Sequence, residues 1–123
     1  MLNGTSNVTP LIDLHRNYGP TSIENMTIQN YIAGELISSS SDLDLRNIQI
    51  QNNSCSGSCF SLSGGVMNLM NATFLNNTGA NMLYIKAGAA TISDFIAKWN
   101  VVTQFGTLSI VSSRLRISDA TFK

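Results

Sequence analysis

Charge is scarce in this chain. Only 11% of its 123 residues are Asp, Glu, Lys or Arg, with 7 cations against 7 anions; an ordinary soluble domain carries roughly 25%. A net charge of zero exerts no general pull on nucleic acid or on an anionic membrane surface, so neither is expected as a partner. Long apolar runs are missing as well, and none approaches the roughly 18–20 residues of a membrane span. Histidine occurs once, as His15, and cysteine twice, which falls short of a zinc site. No metal or cofactor is expected. After Met1 comes LNGTSNVTP, polar where the apolar core of a secretory signal would stand. If the protein is secreted, this sequence is a mature portion or a piece of a longer chain.

Polarity comes instead from 14 Asn, 16 Ser and 10 Thr. With 43% apolar residues the composition is that of a folded domain rather than a disordered one. Asn-x-Ser/Thr sequons stand at Asn3, Asn7, Asn25, Asn52, Asn71 and Asn76. As glycosylation acceptors they point to an extracellular or cell-surface protein carrying N-linked glycans; asparagine also favours turns, the plainer reading. The cysteines form CSGSC, Cys55 to Cys59. In an oxidising compartment they close a small local disulfide, and elsewhere they remain free thiols.

A repeat organises the chain. SIENMTIQN, LDLRNIQIQNN, MNLMNATFLNN, TISDFIAKWN and LRISDATFK align on one frame, an aliphatic residue, a variable one, Asn or Asp, then an apolar residue. The leading aliphatics are Ile23, Leu45, Leu69, Ile92 and Ile117. The Asn/Asp positions Asn25, Asn47, Asn71, Asp94 and Asp119 keep the same step. A second apolar patch recurs between them, as Leu36-Ile37, Phe60-Ser61-Leu62, Leu83-Tyr84-Ile85 and Leu108-Ser109-Ile110. Within LDL, IQI, FSL, LYI and LSI the apolar period is two, the signature of strands. Three short strands per unit describe an all-β fold, a parallel β-solenoid of about five coils of roughly 22–25 residues whose inward side chains stack on their equivalents one coil away. In LDL-RN-IQI the alternation breaks at Arg46-Asn47 and restarts. That marks a corner, with Asn tolerating the left-handed backbone it needs. The five Asn/Asp residues are expected to form an inward structural ladder, in which Asp94 and Asp119 would repel unless one holds a proton or a cation.

These strand–corner–strand phrases, LDLRNIQIQNN and MNLMNATFLNN, resemble the right-handed parallel β-helix of the pectin-lyase-like superfamily. ATFLNN and SGGVM are also similar to the short repeats of bacterial polymorphic outer-membrane proteins and of protist surface proteins. The resemblance covers residues 21–123, taken as the coils; residues 1–20 are an entering loop or partial first coil, with LIDL at 11–14 a possible strand. Enzymes of this fold carry acids or bases on the outer face of one strand and its loops. The matching positions here are Glu35, Ser61, Tyr84 and Ser109, with Lys86 beside them, and no two acids meet as glycoside hydrolysis requires. Asp42 and Asp44 read as solvated residues at a strand start, and His15 as a surface loop residue. Arg46, Arg114 and Arg116 are too scattered for a phosphate groove. Tyr84 and Trp99 could stack on a sugar, but lone aromatics more often pack. Catalysis is not expected.

LRISDATFK is half a coil with no capping helix after it, so the ends are expected to be uncapped and the unit to be a fragment or a piece that stacks head to tail on itself. The leading expectation is a non-catalytic, glycosylated structural segment of an extracellular fibre or surface coat. The rivals are a carbohydrate-binding or adhesive surface module and, behind it, a slice of a polysaccharide lyase or hydrolase. Asn3, Asn7, Asn52 and Asn76 are the expected glycan sites. Asn25 and Asn71, read as inward, are expected to stay bare.

Overall fold

The computed structural model describes residues 2–3, 7–8, 12–14, 21–86, 88–104, 106–111 and 114–123. They form a parallel β-solenoid of three sheets with no helix among them. The long sheet stacks Leu2–Asn3, Thr21–Gln29, Leu43–Gln51, Val66–Leu75, Ala89–Lys98 and Arg114–Phe122 in that order. A narrow sheet stacks the two-residue strands Asn7–Val8, Ile32–Ala33, Ser54–Cys55, Thr78–Gly79 and Val101–Val102. The third stacks Ile12–Leu14, Ile37–Ser39, Ser58–Ser63, Asn81–Lys86 and Leu108–Val111. Every strand pairs in parallel with its equivalent one coil away. The turn count is about four complete turns rather than five. Five aligned phrases are five stacked strands, and between them lie only four intervals. Strands within 2–14 add a partial coil below.

The aliphatic column holds. Ile23 pairs with Leu45, Leu45 with Leu69, Leu69 with Ile92, and Ile92 with Ile117. The division into strands differs from expectation. LDL and IQI are two halves of one nine-residue strand, Leu43–Gln51, bent at a single residue, Asn47, which has φ 55° and drops out of the pairing register. That one left-handed residue flips the phase of the pleat, so Leu43, Leu45, Ile48 and Ile50 all point inward. Asn25, Asn71, Asp94 and Asp119 make the same bend, at φ between 51° and 56°. Asn pays least among side-chain-bearing residues for this conformation, and Asp is close behind.

The core is built by volume compensation between coils. Ile28, Ile50, Phe74 and Ala97 form one buried column, and the adjoining column holds Met26, Ile48, Ala72 and Phe95. Each phenylalanine thus has an alanine as its partner in the neighbouring coil, which keeps the density of the layer even. Phe60, Phe74 and Phe95 run diagonally through the interior and the exposed Phe122 continues the line, with ring centroids 5.0, 5.4 and 5.6 Å apart. The corner from the third sheet back to the long sheet needs glycine. A Cβ on Gly65, at φ +80°, would sit 2.8 Å from the carbonyl carbon of Ser41, and one on Gly88 would sit 2.8 Å from the Gly65 oxygen.

A further corner follows each long strand, at Asn30, Asn52, Asn76 and Trp99, with φ between 55° and 63°. Trp99 is the misfit, since a bulky residue in the left-handed region costs about 1–2 kcal/mol that asparagine largely avoids. Trp99→Asn is therefore expected to stabilise the unmodified protein by about 1 kcal/mol, read as a higher urea midpoint at unchanged slope.

Candidate functional site

Two asparagine ladders flank the long sheet. The outer one is the ladder expected from the repeat. Asn47 Nδ2 donates to Asn25 Oδ1 at 2.9 Å, and Asn71 Nδ2 donates to Asn47 Oδ1 at 2.7 Å. It faces solvent, contrary to the inward placement expected: Asn25, Asn47, Asn71, Asp94 and Asp119 are all exposed. The bend turns the backbone, and the side chain at its apex is thrown outward while its neighbours turn in. Burial is thus no reason for Asn25 and Asn71 to stay bare. Asn71 differs from Asn25 in that its Nδ2, the atom a sugar would join, already donates one hydrogen to Asn47.

The inner ladder is Asn53, Asn77 and Asn100, one residue past the second corner. Asn53 and Asn77 are 3% and 0% exposed. Asn77 Nδ2 donates to the Ile50 carbonyl at 2.9 Å and to Asn100 Oδ1 at 3.0 Å. Its Oδ1 accepts from the backbone N–H and the Nδ2 of Asn53, both at 3.1 Å. Asn53 repeats the pattern one coil down, bonding the Ile28 carbonyl and accepting from Tyr31 N–H. Asn100 repeats it one coil up, against the Phe74 carbonyl and Asn77 N–H. Buried corner groups that the sheets cannot pair are satisfied here by side-chain amides. The residues carried a signal, steps of 24 and 23 residues, that their place beside the sequons concealed.

On the outside, a groove of about 340 Å³ runs between the narrow and third sheets, lined by Glu35, Ser56, Ser58, Asn81, Tyr84 and Gln104 among others. Tyr84 shares its outward column with Ser61 and Ser109, as expected. Glu35 does not belong to that column: Ser38 is the partner of Ser61, and Glu35 reaches the groove from the preceding loop. Ser58 hydroxyl bonds Asn81 Oδ1, while Asn81 Nδ2 is buried without a hydrogen-bond partner. One wall is the loop closed by the Cys55–Cys59 disulfide, which encloses Ser56, Gly57 and Ser58. So small a loop contributes about 2 kcal/mol by chain entropy. Reduction is expected to lower the urea-derived stability by about that amount, with the rest of the solenoid intact.

The remaining candidates lie apart from the groove. Arg46 Nε and Nη2 donate to the two oxygens of Asp44 at 3.2 and 3.0 Å on the outer face of the long sheet. The hydrogen bond to Asp44 and then its charge raise the Arg46 pKa above its ordinary value. Asp42 Oδ1 accepts from Val66 N–H at 2.9 Å, capping the strand of the next coil. Arg114 and Arg116 stand above Ala89 and Thr91, whereas the Arg46 column continues through Met70, Ser93 and Ser118. Lys86 is exposed between Ser63 and Val111. Asn3 and Asn7 fall in the first strands of the long and narrow sheets. His15 lies outside the described residues. Among the described residues no helix is long and apolar enough to cross a membrane, and no three His, Cys, Asp or Glu gather as a metal site would require.

The class is thereby defined as a three-sheeted parallel β-solenoid with a disulfide-walled outer groove. Comparison with protein-family models, with curated proteins and with solved structures finds no match to this chain. Its own geometry has to carry the functional argument.

Proposed function

We propose that this chain is a non-catalytic structural segment of a glycosylated extracellular fibre or surface coat, in which coil-on-coil pairing continues head to tail onto a further copy. The observation that carries this reading is the uniform coil-on-coil pairing of the long sheet, whose inward column runs from Ile23 through Leu45, Leu69 and Ile92 to Ile117 at one register. The column retains its spacing and apolar character throughout, so a further coil in that register would stack as each coil stacks on the one before. The disulfide and the sequons suit an oxidising, glycosylating compartment. Membership of the pectin-lyase-like superfamily, with the likeness to polymorphic outer-membrane and protist surface proteins, belongs to the same proposal.

Negative-stain electron microscopy and sedimentation test it together. Filaments whose axial repeat is set by whole coils about 4.8 Å high support the reading; monomers at every concentration overturn it. The groove supports a second reading, a carbohydrate-binding surface module, because Tyr84 offers a flat ring in a groove that Glu35 and Gln104 also line. A glycan array with wild type and Tyr84→Ala separates the two. Among the described residues that line the groove Glu35 is the one carboxylate, while glycoside hydrolysis takes a pair.

A further inference from the structure

Trp99 is strained and exposed at once. Its backbone has φ 56°, and it is 66% exposed, more than any other large apolar residue described. It is also the sole tryptophan. Neither fact is explained by packing. Its column supplies a reason. Asn30, Asn52, Asn76 and Trp99 occupy one corner in successive coils, and each makes the same backbone bond to the coil above: Asn30 N–H to Gln51 O, Asn52 to Leu75 O, Asn76 to Lys98 O and Trp99 to Lys123 O. Leu75 and Lys98, the residues just before Asn76 and Trp99, are register partners. Trp99 therefore stands directly over Asn76, one strand spacing of about 4.8 Å away.

Asn76 opens the sequon Asn76-Asn77-Thr78. Its outer members are exposed, and the middle one is locked in the inner ladder by bonds to Ile50 and Asn100. The acceptor amide is thus held at the surface on a fixed corner. The other sequons in described coils lack such a neighbour. Asn52 lies between Asn30 and Asn76, Asn25 lies below Asn47, and Asn71 lies between Asn47 and Asp94.

We propose that Asn76 carries an N-linked glycan and that its first N-acetylglucosamine packs its C–H face on the Trp99 ring. This rests on the extracellular, glycosylated reading above. Attachment joins Asn76 Nδ2, with loss of one proton, to the anomeric carbon of a lipid-diphosphate-linked oligosaccharide; the anomeric C–O bond breaks and the lipid diphosphate leaves. The sugar covers apolar indole surface that otherwise faces water, and amide resonance keeps the linkage planar. On this account the tryptophan replaces asparagine in its column because it serves the coil below.

The test uses the chain secreted from a eukaryotic host and trimmed by an endoglycosidase that leaves one N-acetylglucosamine. Glycopeptide mass spectrometry reads occupancy, and emission and acrylamide quenching read the single tryptophan. Wild type and Thr78→Ser, which keeps the sequon, are expected to show Asn76 occupied. They should also show blue-shifted emission and roughly twofold weaker quenching than Thr78→Ala, which loses it. Occupancy at Asn76 with identical emission and quenching in all three overturns the proposal, as does a bare Asn76 beside occupied sequons elsewhere. Sequons that are all bare in protein from its natural source would instead overturn the extracellular glycosylated reading, whatever the tryptophan reports in the host.

Discussion

Replacing Asn77 by leucine is expected to remove about 4 kcal/mol of stability, enough to leave a marginal domain largely unfolded. The side chain is 0% exposed and its amide serves both neighbouring coils. Leucine fills a similar volume, so the loss is one of bonding rather than of packing. The Ile50 carbonyl and the Asn53 N–H lose partners at 2.9 and 3.1 Å. Each buried group left unpaired costs about 1–3 kcal/mol. Asn47→Gly is the matched control in the outer ladder. Glycine accepts the left-handed corner, the two lost amide bonds lie in solvent, and the cost should stay within about 1 kcal/mol. Equilibrium urea unfolding of both variants measures the difference. Equal losses would mean that the two ladders are equivalent, against the burial described here.

Phe74→Ala is the second large effect, expected at about 4 kcal/mol from cavity formation. Phe74 is 0% exposed and meets Phe60 and Phe95 at centroid distances of 5.0 and 5.4 Å. Neither neighbouring coil can fill the gap, because the partner above is the small Ala97 and the partner below, Ile50, is already fully buried. A layer built by pairing large with small has no spare side chain to relax into the space. Phe74→Leu keeps most of the volume and should lose less than half as much, roughly 1.5 kcal/mol. The urea midpoint should fall in both cases with the slope unchanged, since the folded and unfolded states expose the same surface. A loss under about 1 kcal/mol for Phe74→Ala would show that the coils slide to close the cavity.

Much of this architecture was legible in the residues. The step from Ile23 to Leu45 to Leu69 to Ile92 to Ile117 is the register of the long sheet, because stacking like on like imposes a nearly constant pitch on the sequence. The break at Arg46-Asn47 located a true corner. The direction of its side chain was not legible, because alternation alone cannot say whether the residue at the apex of a bend turns in or out. The two-residue strands were missed for a simpler reason: Ser54–Cys55 and Thr78–Gly79 are too short to display a period. The inner ladder was hidden by chemistry, since Asn53 and Asn77 look like turn residues beside Asn52 and Asn76. Only their lack of exposure reveals them as core. The groove was half legible. Tyr84 and Ser61 were placed by their strand, whereas Glu35 and Gln104 reach it from loops, whose course no pattern records.

The direction of the hydrogen bonds has a mechanical consequence. In all three sheets they bridge one coil to the next and so run along the solenoid axis. Tension applied between the two ends of the stack pulls on these bonds head-on, and the terminal coil bears it first. Each coil that peels away pays out roughly 22–25 residues, a slack on the order of 75 Å, before the next is loaded. Such a body lengthens in near-equal increments under force instead of snapping at once.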